Sequence, residues 1–159
     1  MMAEQGHPLC YAFIQSADGA MQTRDRPLDA EDPLLQIAIS AIEAGDFEAS
    51  FTMVKKLAGR GDALAQHFLG WHYHKGLGVQ QDDTKAAYWW RKAADLGIGE
   101  AQQGLGWAYE HGRGVTCDLL EAYRWYSEAI RSGDVEARES LSALSGKLSS
   151  AQIKLAEGL

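Results

Sequence analysis

The chain has 159 residues, of which 46% are hydrophobic and 23% charged, with a formal net charge of -7. That is the size and composition of one globular domain with a buried core, which excludes disorder throughout. The acidic balance argues against a nucleic-acid surface or a cationic membrane-surface helix, since both need clustered Lys and Arg.

The start, Met1 to His7, carries Glu4 where a secretory signal needs basic residues, and the apolar run from Leu9 to Ile14 is too short for its core. No stretch approaches the roughly 18 apolar residues of a membrane-spanning helix. Cys10 and Cys117 are the only cysteines, so neither a disulfide framework nor a thiolate zinc cage is available, and a reducing cytoplasm is the expected compartment.

Residues 1–31 stand outside the pattern that organises the rest. Leu9 to Gln15 and Ala20 to Thr23 flank Asp18-Gly19, a combination that reads either as a short hairpin with an Asp-Gly turn or as a flexible leader. From 32 to 159 the chain reads as one helical repeat domain. Its first unit, about 34–61, has a helix from Leu34 to Ala44, the short turn Glu43-Ala44-Gly45-Asp46, and a second helix from Phe47 to Arg60 that stops at Gly61.

The next two units, 65–97 and 101–133, are copies: at a constant offset of 36, 14 of the 33 pairs are identical. Such a period marks stacked supersecondary units. In each copy a first helix carries an apolar line, Ala65, Leu69 and Tyr73 or Ala101, Leu105 and Tyr109. Gly76 or Gly112 ends that helix, Gly78 or Gly114 keeps the loop tight, and Val79 or Val115 pins it. Asp82 or Asp83 caps the second helix, Thr84 to about Leu96, which buries Ala86, Trp89 or Trp90, Ala93 and Ala94. Gly70 and Gly106 sit mid-helix, where they let a bulky indole approach the backbone. Downstream, Ala137 and Leu141 keep the period, the glycine loop becomes Ser145-Gly146-Lys147-Leu148, and a short helix follows from about Ser149. Residues 137–159 therefore read as a terminal cap.

The residues Ala65, Leu69, Gly70, Tyr73, Gly76, Gly78, Val79, Asp82, Lys85, Ala86, Trp89, Ala93, Ala94 and Gly97 resemble the Sel1-like repeat family, relatives of the tetratricopeptide repeat. The second copy departs only at Glu121 and Ile130. The resemblance implies an all-α fold, a right-handed α-solenoid of helix-loop-helix units with about seven or eight helices and almost no strand. It also implies a groove, lined by the first helices, that holds peptides or loops of partner proteins.

No catalytic motif, phosphate loop or cofactor-binding fingerprint occurs. His72 and His74, two residues apart on a helix, do not face each other. His67 and His74 share a face but stand about 10 Å apart at 1.5 Å per residue, too far for one metal ion. No metal or cofactor is expected.

One stripe is left for recognition. Trp71 and Trp107 are offset by two residues from the apolar line and join His67 and His74 in one copy, Gln103 and Glu110 in the other. Mapped one unit back, the stripe continues at Gln36, Ser40 and Glu43. It reads either as an aromatic partner groove with polar flanks or, at Trp71 and Trp107, as packing between units.

The sequence thus points to a non-enzymatic adaptor, scaffold or regulatory partner, of the kind the resemblance implies for bacterial modules in secretion, effector neutralisation or signalling. The expected partner is a protein or peptide, with Glu43 and Glu110 favouring a basic one, and not nucleic acid or a membrane. The expected state is a monomer or weak oligomer. The alternatives are a self-associating structural subunit and a hydrolase like the cysteine-rich Sel1-like proteins to which β-lactamase activity is attributed. Those staple each repeat with a cysteine pair, which this chain lacks.

Overall fold

The computed structural model of the chain describes residues 32–158. The hairpin-or-leader alternative for residues 1–31, and Cys10 with it, lie outside the described residues.

Asp side chains start most of the helices, because each accepts from backbone N–H groups that the first turn leaves without partners. Asp32 accepts from Leu34 N at 2.8 Å and, with Pro33 behind it, opens α1 (Pro33–Glu43). Asp46 opens α2 (Phe47–Gly59) and Asp62 opens α3 (Ala63–Lys75) in the same way. Asp82 is the residue that caps α4 (Asp83–Asp95); Asp83 lies inside the first turn and is used elsewhere. α5 (Gly99–His111) starts without a side-chain cap, α6 (Leu119–Arg131) is capped by Asp118, and α7 (Ala137–Ser145) follows. Ser149 and Gln152 form a reciprocal capping box at α8 (Ser150–Glu157).

These eight helices, with no strand among the described residues, pack chiefly against their sequence neighbours, and α8 folds back on α6. The result is an α-solenoid. One core cluster runs through α1 to α5 on Leu35, Val54, Leu57, Phe68, Leu69 and Trp90. A second joins α6 to α8 on Tyr126, Leu144 and Ala156, and Trp107 packs against both.

Of the two adjacent indoles on α4, Trp90 is the buried one, 5% exposed, while Trp89 is half-buried. The mid-helix glycines explain the choice. A Cβ on Gly70 would stand 2.5 Å from the Trp90 ring, and one on Gly104, in the next unit, 3.1 Å from it. Trp90 is therefore clasped between α3 and α5. One unit on, the aromatic against Gly106 is a phenol rather than an indole, because Tyr126 holds the place of Trp90. Replacing Trp90 by Ala is expected to cost about 3–5 kcal/mol as a large core cavity opens, and Trp89→Ala roughly half of that or less. Urea unfolding of both variants checks this; equal losses would show that the two indoles share the core.

Candidate functional site

The stripe singled out in the sequence runs along α1, α3 and α5. His67 is 6% exposed, lies edge-on to Phe68, and its Nδ1 has no hydrogen-bond partner. Trp71 is 4% exposed and packs against Phe47 and His72, so of its two readings the core is the one the structure shows. Gln103 is 9% exposed and its amide only just reaches Ser140 Oγ, at 3.5 Å. Gln36, Ser40 and Glu43 are exposed on α1.

His74 and Trp107 meet directly, ring centroids 4.8 Å apart and edge to face, and Trp107 also stacks on His111 at 4.9 Å. Trp107 stays half-buried. His74 shares a hydrogen bond with Asp83 at 3.0 Å, and the second oxygen of Asp83 accepts from Arg113 at 2.8 Å, which ties the loop of the third unit to the second. Glu110 accepts from Tyr126 at 2.9 Å and from Lys147 at 2.6 Å. Burial pushes its carboxyl up, but the bonds from Lys147 and Tyr126 prevail and hold it below the usual carboxylate range. Its charge is met inside the chain.

Several residues that position this face carry little sequence signal. His72 is fully buried; its Nδ1 can only donate to the Leu77 carbonyl, at 2.7 Å, so in the neutral ring Nε2 accepts from Ser50 at 3.0 Å. The matching position in the next unit is Ala108, which hides the pattern. Gln66 and Gln102 are identical in both copies, and each donates to a carbonyl near the end of the preceding helix, Ala58 or Ala94. Their identity was the available signal. Asp83 and Arg113 have Leu119 and Leu77 as counterparts, so repetition could not point to them.

Among the described residues no helix is long and apolar enough to cross a membrane. Cys117 is exposed and free, with its thiol against the Glu110 carbonyl.

The model of the Sel1 repeat family matches residues 63–98 and 99–134. Among solved structures, a Sel1 repeat protein from Oxalobacter formigenes is 31% identical with a TM-score of 0.65, over 69% of this chain and 45% of that one. The protective antigen c5321 of uropathogenic Escherichia coli strains, which displays an SLR fold, is 26% identical with a TM-score of 0.75, over 94% of this chain and 35% of that one. The chain thus spans less than half the length of both. Cysteine rich protein B of Helicobacter pylori, 23% identical with a TM-score of 0.56 over 71% of this chain and 98% of its own, shares the fold. No curated protein gives a significant match.

The buried histidine makes a pH prediction. Burial lowers the His67 pKa from 6.5 to about 4, and burial also lowers that of His72. The unfolded chain then binds the His67 proton near pH 6.5 and the folded chain only near 4, so stability is full above pH 6.5 and falls as pH drops through that window. The loss on His67 alone is up to about 3 kcal/mol. Asp134 and Glu136, whose pKa values burial raises, act in the opposite sense but equally in a variant. Between pH 7 and 4.5, urea unfolding should show wild type losing about 2 kcal/mol more than His67→Gln, whose glutamine copies Gln103. Parallel losses would contradict the burial of a neutral ring.

Proposed function

Residues 63–134 of the chain are two Sel1 repeats, and from that premise we propose that the protein is a non-enzymatic interaction module, holding a peptide or loop of another protein along the face of α1, α3 and α5. Sel1 repeat proteins in general mediate protein–protein interaction; the position of the site and the nature of the partner are our reading.

The observation that carries it is the setting of Trp107. A half-buried indole in contact with the rings of both His74 and His111 is restrained before any partner arrives. A pre-organised aromatic of this kind is the usual anchor of an interface. His67, Trp71 and Gln103 lie beneath the surface as its floor. The exposed Gln36, Ser40 and Glu43 form a polar flank, and Glu43 favours a partner segment with Lys or Arg, so added salt slows association.

Trp107→Ala tests the proposal. Loss of an anchor worth about 2 kcal/mol weakens binding roughly thirtyfold, so the partner recovered by the wild-type protein from its native source should be lost, with helical circular dichroism retained. A helical Trp107→Ala protein that keeps the same partner at the same affinity would move the site off this face.

A further inference from the structure

α3 is buried on a side that no described helix spans. The helices that pack along it are α2 and α4. His72, bonded to Ser50, marks the side toward α2, and Gly70, under Trp90, marks the side toward α4. At about 100° per residue Trp71 stands about 100° from each of these, and His67, one turn before it, shares its side. The apolar line of Ala65, Leu69 and Tyr73 fills the opposite arc, so Trp71 and His67 point away from the core.

Both are nonetheless almost wholly buried. Among the described residues the one ring of another helix that touches them is Phe47, at the edge toward α2; their other ring contacts, His72 and Phe68, belong to α3 itself. The stripe of α1 alongside is exposed, and Gln103 of α5 is turned to Ser140 of α7.

The chemistry of the cover can be read from beneath. His67 Nδ1 and Trp71 Nε1 are both buried with no hydrogen-bond partner. Whatever lies over them therefore excludes water and offers neither donor nor acceptor, so it is apolar. Leaving two polar groups unpaired also costs free energy, which makes such a cover easier to displace than a core helix.

Beyond the described residues the chain holds only residues 1–31 and Leu159, and one terminal residue cannot span two side chains a helical turn apart. The longest apolar run in residues 1–31 is Leu9-Cys10-Tyr11-Ala12-Phe13-Ile14. Residues 15–31 join it to α1, and as a flexible connection they reach roughly 20–25 Å. Neighbouring packed helices stand about 10 Å apart and α3 is about 20 Å long, so the run can reach Trp71. The tether gives it an effective concentration near the millimolar range.

We infer that Leu9–Ile14 lies over His67 and Trp71 on α3 and closes that part of the face by an autoinhibitory contact. The cover itself stands on the burial of α3; that it regulates partner binding rests on the reading of this face given above. Trp107 stays half-buried beside it, so a partner can engage there first and then displace the run.

The run carries its own reporter, Cys10, while Cys117 is exposed and serves as the reference. In the full chain, alkylation by iodoacetamide is followed at each thiol by mass spectrometry. Cys10 should react at least about tenfold more slowly in the native protein than in the urea-unfolded chain, as a group released only by local opening, with Cys117 little changed. Phe13→Asp with Ile14→Asp, both outside the repeats, should restore the unfolded rate at Cys10. In the same variant, with ¹⁵N-labelled tryptophan and the Trp71 indole resonance assigned through its contact with Phe47, exchange of that N–H with water should speed by a similar factor. The inference is overturned by a native Cys10 that reacts as fast as in urea, or by a variant in which Cys10 or the Trp71 N–H keeps its protection. Protection of Cys10 that rises with protein concentration would put a second copy of the chain there and overturn it too. No partner enters this experiment, so its failure is distinct from failure of the partner site at Trp107. Should the variant lose its helical circular dichroism, the wild-type rate at Cys10 decides.

Discussion

The arrangement of this molecule depends on a backbone contact that only glycine allows. Gly114, in the loop of the third unit, lies so close to the first turn of α4 that a Cβ on it would overlap the Asp83 carbonyl; Gly78 stands in the same relation to Phe47 at the start of α2. Both have positive φ, +73° and +69°, which L side chains rarely adopt. Each loop is thus seated on the second helix of the unit before it. With that seat fixed, the offset between units is fixed as well.

Other features follow from the offset. Arg113, next to Gly114, is delivered to Asp83. Trp90 is clasped by a glycine of its own unit and one of the next. Gln66 and Gln102 arrive under the carbonyls of the preceding helix. One face of first helices results, with Trp107 half-buried at its surface. Because each unit touches mainly its neighbours, stability is close to a sum of units and seats. At the C-terminal end Lys147 and Tyr126 satisfy Glu110, and α8 closes on α6.

The repeat, its glycines and its capping aspartates were legible in the sequence because two copies in register repeat them. The side assignment on α3 was not. Every residue from Leu64 to Tyr73 is buried, so this helix has neighbours all round, and helical periodicity carries no information about which side is free. That is why Trp71 could be read as groove or as packing. The contrast with Trp107, half-buried one unit later, arises from different neighbours and not from a different local pattern. Glu110 reads as a free acid because its partner Lys147 is 37 residues away.

The most direct test of this account compares Gly114→Ala with Gly112→Ala by native-state hydrogen exchange. Both glycines have positive φ, but the nearest atom to a Cβ at Gly112 is Cys117 Cβ, at 3.3 Å and within its own loop, so that variant carries the backbone strain without the collision between units. The seat predicts that Gly114→Ala lowers protection in the first turns of α4 and throughout α5 and α6 well beyond Gly112→Ala, while α1 and α2 keep theirs. Equal, local losses in the two variants would contradict it.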